Sequence, residues 1–130
     1  MITILLVDDN ARVREALRVC LELQAGWKVI GEAEDGQAAI KLVREKRPDI
    51  VLLDYAMPGM NGIEAARSIA GVDQTCTMVL FTMYASEQLS KLAEAVGIGA
   101  VISKGVGGMK EIVGAIESLH PQSRQSRRSS

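Results

Sequence analysis

Five short runs of β-branched residues and leucine, separated by segments whose apolar residues recur at helical spacing, constrain this chain more than any other feature of its sequence. That rhythm predicts an α/β architecture, because parallel strands need long crossovers and helices supply them. The runs place strands at residues 2–7, 28–33, 50–53, 78–81 and 100–103. Ile50-Val51-Leu52-Leu53 is apolar at every position, which suits a strand covered on both faces.

Between the runs, Val13, Ala16, Leu17, Cys20 and Leu21 share one stripe of a first helix, with Asn10 as its N-cap. A second helix covers residues 37–46 and stops short of Pro48, since proline disfavours helical geometry in the residue before it. Asn61 and Glu64 have capping-box spacing and start a third; Ser86 caps a fourth that ends near Gly97. Ile112, Val113, Ile116 and Leu119 mark the buried side of a fifth, closed by Pro121. Residues 1–120 therefore read as one domain, and residues 121–130, with four Ser, three Arg and two Gln, as a disordered polar tail or the start of a linker.

Composition excludes several classes. Aromatic residues make up only 3%, too few for stacking platforms along a single-stranded nucleic acid. The tail holds three arginines and no acid, so the formal net charge of -1 hides a more acidic body, a poor direct ligand for nucleic acid or anionic lipid. No apolar run approaches the roughly 20 residues needed to span a bilayer, and the apolar start is cut off by Asp8 and Asp9. Cys20 and Cys76 lack metal-ligand spacing and read as reduced thiols of a cytoplasmic protein.

The chemistry gathers at strand ends. Ligands of open α/β sheets sit beyond the carboxyl ends of the strands, where the winding reverses. The first strand ends in Asp8-Asp9 and the third in Asp54; Thr82 follows the fourth and Lys104 the fifth. If the first and third strands are neighbours, three carboxylates crowd one crevice. Like charges about 4 Å apart repel by about 4 kcal/mol at an effective dielectric near 20, so such a crevice wants a cation. Oxygen-only ligands favour Mg²⁺. An ammonium and a hydroxyl facing that cation suit the oxygens of a transferred phosphoryl group. The plainer alternative makes Asp8, Asp9 and Asn10 caps of the first helix and Asp54 the start of a turn.

The order Asp8-Asp9, Asp54, Thr82, Lys104, together with Leu52-Leu53-Asp54-Tyr55-Ala56-Met57-Pro58-Gly59-Met60-Asn61-Gly62, resembles the receiver domains of two-component response regulators over residues 2 to 119. The wording is nearest to receivers of the LuxR/FixJ type (NarL-like), which precede a helix-turn-helix DNA-binding domain. The resemblance implies a flavodoxin-like, doubly wound five-stranded parallel sheet in the order 2-1-3-4-5. It implies that Asp54 is phosphorylated by a sensor histidine kinase, and that Asp9, Asp54 and the Ala56 carbonyl ligate Mg²⁺ directly, with Asp8 acting through a bound water. Lys104 would pair with Asp54 and then with the phosphoryl oxygens, while Thr82 turns inward and moves the loop after the fourth strand. A C-terminal DNA-binding output domain and a homodimer formed on phosphorylation are the further partners it implies.

The sequence departs from the family at Val101, three residues before the lysine, where an aromatic ring usually rotates with the threonine. A small β-branched switch residue has no ring to swing. Gly105-Val106-Gly107-Gly108 lacks the spacing of a phosphate-binding loop and reads as a flexible connector. His120 reads as complementing the fifth helix dipole, and Trp27 as packing. Ala56 and Tyr84 stand where the family tunes water access to the acyl phosphate. A magnesium phosphohydrolase, a flavin carrier and a receiver that binds without being phosphorylated are the rival readings; the first would need a nucleophile and second acid two apart, here Asp8 and Asn10.

Overall fold

The computed structural model describes residues 1–120; the expected disorder of 121–130 and the closure by Pro121 lie outside the described residues. The elements run β1 (Ile2–Val7), α1 (Ala11–Glu22), β2 (Trp27–Ala33), α2 (Gly36–Lys46), β3 (Ile50–Leu53), α3 (Gly62–Val72), β4 (Thr77–Thr82), α4 (Glu87–Ala95), β5 (Ala100–Ser103) and α5 (Gly108–Leu119). All strand pairs are parallel and the order is β2-β1-β3-β4-β5, as expected of a doubly wound flavodoxin-like fold. The winding reverses between β1 and β3, which opens a crevice beyond their carboxyl ends.

Period-two alternation divides β1 between two cores. Leu5 and Val7 join Val51, Leu53 and Leu80 against α2, α3 and α4. Ile4 and Leu6 join Ile50, Leu52 and Val79 against α1 and α5, where Leu17, Leu21, Ile112 and Ile116 come down from the helices. Each such fully buried aliphatic side chain contributes roughly 1.5–3 kcal/mol relative to an exposed one, so β1 and β3 are held from both faces. Asp8 and Asp54 follow directly from these two buried strands, and their backbones continue the ladder: Asp8 N donates to Ala33 O at 3.0 Å and Asp54 N to Val7 O at 3.0 Å.

Local chemistry sets the helix starts. Asn10 accepts from Arg12 N and Val13 N, and Asn61 with Glu64 forms the reciprocal capping box. Ser86 caps α4, and Gly97 follows that helix with φ +88°. Four boundaries, in three elements, differ from expectation. Asp35 accepts from Ala38 N, so α2 begins at Gly36 rather than Gln37. β2 begins at Trp27, which packs on the α1/α5 core, and β4 runs from Thr77 through Thr82. Ala16, placed on the α1 stripe by its spacing, is exposed, because Leu17 and Leu21 alone of that helix reach full burial. In the glycine run leading into α5, Gly107 takes φ +85°, and a Cβ on Gly108 would lie 2.7 Å from Ser103 O and 3.0 Å from the Phe81 ring.

Candidate functional site

Asp8, Asp9 and Asp54 meet at the crevice, each offering a carboxylate oxygen within 4.8 Å of the others. Asp8 and Asp54 are buried and Asp9 is exposed, so the cluster has a closed floor and an open rim. Lys104, at the end of β5, extends its ammonium between the two buried acids, with Nζ 2.5 Å from Asp8 Oδ2 and 2.9 Å from Asp54 Oδ2. The sequence reading paired this lysine with Asp54; the structure adds Asp8 as a second partner. Burial of the ammonium draws the Lys104 pKa down, but the hydrogen bonds to Asp8 and Asp54 outweigh it and leave the group above its ordinary value, firmly charged. Its Nζ also stands 5.8 Å from the centre of the Phe81 ring.

One ammonium cannot balance three carboxylates. The formal surplus of negative charge, and a donor set made only of oxygen, fit a hard divalent cation such as magnesium and do not fit a soft one.

Asp54 is fixed by its own loop. Tyr55 N donates to Asp54 Oδ1 at 2.7 Å, which aims the carboxylate, and Gly62 N donates to Tyr55 O at 2.7 Å as the chain turns into α3. A Cβ at Gly62 would lie 2.3 Å from Asp54 O and 2.9 Å from Tyr55 Cα. Only glycine lets α3 begin so close to the Asp54 backbone, a requirement that spacing alone did not reveal. Ala56, two residues on, is exposed at the rim. Thr82 is fully buried and its Oγ1 accepts from Tyr84 N at 3.2 Å. The Tyr84 ring stands edge-on to that of Tyr55, 6.5 Å between centroids, so the loops after β3 and β4 touch above the crevice.

Val101 is half-buried, packed against the α2/α3/α4 core rather than at the crevice. His120 lies at the opposite edge of the sheet with Nε2 3.7 Å from Asp49 Oδ1, so it faces a carboxylate as well as closing α5. Both cysteines are free thiols, and burial pushes Cys76 up to about 11. No helix among the described residues is long and apolar enough to cross a membrane.

The sequence matches the family model of the response regulator receiver domain over residues 4–117. It is 38% identical over 124 residues to the response regulator UvrY of Escherichia coli K12, covering 95% of this chain and 56% of that protein. It is 34% identical over 119 residues to the response regulator GacA of Pseudomonas aeruginosa, covering 92% of this chain and 55% of the relative. This chain thus spans about half the length of these curated relatives. A two-component response regulator of the LuxR family from Aurantimonas sp. SI85-9A1 superposes with a TM-score of 0.85 at 34% identity, covering 98% of both chains. The response regulator domain of Thermotoga maritima CheB gives 0.80 at 30% identity over 96% of this chain and 95% of that one.

Proposed function

This chain belongs to the response regulator receiver domain family, and from that premise we propose that Asp54 takes a phosphoryl group from a phosphohistidine of a sensor histidine kinase. A carboxylate oxygen of Asp54 forms the new P–O bond while the P–N bond breaks; the bonding pair returns to the imidazole nitrogen, and an acyl phosphate results. The observation that best supports the assignment is the company Asp54 keeps: a buried carboxylate whose two oxygens are held by Tyr55 N and Lys104 Nζ, within reach of two further acids.

Asp9, Asp54 and the Ala56 carbonyl would hold magnesium, with Asp8 beside them, and the ion supplies positive charge against the phosphoryl oxygens. Lys104 then passes its ammonium from the Asp54 carboxylate to one of those oxygens. The Thr82 hydroxyl donates to another. Turning inward to do so carries Oγ1 away from Tyr84 N, whose hydrogen bond it now accepts, and this releases the loop after β4 toward α4. Val101 contributes bulk rather than a swinging ring, so the loop carries the signal in its own backbone. Water attack on the acyl phosphate resets the switch slowly, with the exposed Ala56 and Tyr84 at the entrance.

The receiver occupies residues 1–120, residues 121–130 are a polar tail or the start of a linker, and the protein works in the cytoplasm. Its output is a C-terminal DNA-binding domain outside this chain, and the regulator forms a homodimer on phosphorylation; the roughly doubled length of the curated relatives supports the further domain. The receiver itself touches neither DNA nor membrane. Intact-mass analysis after treatment with acetyl phosphate and Mg²⁺ tests the core of the proposal. The wild-type chain gains one phosphoryl unit and Asp54→Asn gains none; an unchanged adduct on Asp54→Asn refutes it.

A further inference from the structure

Arg14, on the first turn of α1, reaches in two directions. Its Nε donates to Glu32 Oε1 at 2.9 Å, on β2, and its Nη1 donates to the main-chain carbonyl oxygen of Asp8. That carbonyl belongs to the peptide joining Asp8 to Asp9, so a group that grips it fixes the plane from which the Asp9 side chain departs. Asp8 has other anchors, since its N–H donates to Ala33 O and its carboxylate accepts from Asn10 N and Lys104 Nζ. Asp9 is exposed, so its carboxylate is aimed by backbone rather than by packing.

The Glu32 anchor is itself secured. Arg18 Nη2 lies 2.6 Å and Nε 3.1 Å from Glu32 Oε2. The Arg18 hydrogen bond leads, against a desolvation cost, with Arg14 adding to it, and together they hold the Glu32 carboxyl below its ordinary value. The Arg14 side chain is only 15% exposed, so its contacts are less screened than those of a surface pair. Its planar fork serves a carboxylate and a carbonyl at once, which a lysine ammonium on a flexible stem does poorly.

We infer that Arg14 is a positioning residue: anchored on Glu32, it sets the Asp8–Asp9 peptide so that Asp9 faces Asp54 across the magnesium site. The inference rests on the reading of the three acids as that site. It acts through geometry rather than charge, because a cation placed there would by itself repel a metal ion.

Isothermal titration of the full chain with Mg²⁺, repeated with Mn²⁺ by electron paramagnetic resonance, tests it. Arg14→Lys keeps the charge and loses the fork, and is expected to weaken Kd about tenfold, the usual cost of removing a group that orients a metal ligand. Glu32→Gln weakens Kd less, and the double variant is no weaker than Arg14→Lys alone, because both changes break the same connection. A purely structural role would lower the melting midpoint and leave Kd where it was; that result overturns the inference, as does strict additivity of the two variants. A wild-type chain that binds neither ion overturns the magnesium site along with it, whereas wild-type binding unchanged in Arg14→Lys overturns the role of Arg14 alone.

Discussion

At the amino-terminal edge of the sheet Asp49 and Asp73 each have their own donors, while at the carboxyl-terminal edge one ammonium reaches two of three clustered acids. Asp49 Oδ2 accepts from Thr3 N at 2.8 Å and Thr3 Oγ1 at 3.0 Å. Asp73 Oδ1 accepts from Thr75 N at 2.9 Å and Thr75 Oγ1 at 2.6 Å. These carboxylates staple the start of β3 to β1 and the end of α3 to the start of β4. Asp8, Asp9 and Asp54 lie closer together, and Lys104 offsets only part of their charge. A buried acid is therefore not in itself a functional signal. What separates the two edges is whether donors within the fold complete the acid's environment or leave a charge for something else to complete.

The largest effect that sharpens this contrast comes from the two ends of α3. Gly62→Ala drives a methyl into Asp54 O and Tyr55 Cα and is expected to cost about 3 kcal/mol, as overpacking does, read as a lower urea midpoint. Gly71→Ala, toward the other end of the helix with nothing within 4 Å, is expected to gain about 0.5–1 kcal/mol. Equal responses at both positions would mean that α3 is not pressed against the loop after Asp54.

A smaller effect tests how firmly β2 is tied to the acidic edge. The folded pKa of Glu32 lies below its ordinary 4.5, so its ion pairs contribute fully above pH 4.5 and are lost as pH falls through the lowered value. The difference in urea midpoint between wild type and Glu32→Gln is expected to be widest near neutrality and to close in acid. A difference that widens in acid would reverse the sign of the coupling.

The carboxyl-terminal edge was also the more legible one from sequence. β1, β3 and β5 carry their boundaries in plain apolar runs, and an acid or lysine directly after each marks the edge. Capping chemistry located α3 and α4 because side chains of Asn61 and Ser86 do the capping. Where backbone does the same work the pattern goes silent: α5 starts at Gly108, after Gly107 as an N-cap with no side-chain hydrogen bond. The starts of α2 and β2 moved by one residue because Asp35 capped one and Trp27 had somewhere to pack. Nothing in the sequence singles out Arg14 and Glu32, since what distinguishes them, a bond to the Asp8 carbonyl, depends on a backbone direction that side-chain spacing does not encode. The clash that demands Gly62 is hidden for the same reason.

Thermal melting with and without Mg²⁺ at matched ionic strength, on wild type, Asp9→Asn and Asp49→Ala, tests the contrast between the edges most directly. Without Mg²⁺, Asp9→Asn melts at or above wild type because repulsion is relieved, and Asp49→Ala loses about 1–3 kcal/mol because Thr3 keeps donors without an acceptor. Added Mg²⁺ raises the midpoints of wild type and Asp49→Ala as binding to the folded state requires, and leaves Asp9→Asn nearly unmoved. A wild-type midpoint indifferent to Mg²⁺, or an Asp9→Asn midpoint that rises as far as wild type, would contradict the account.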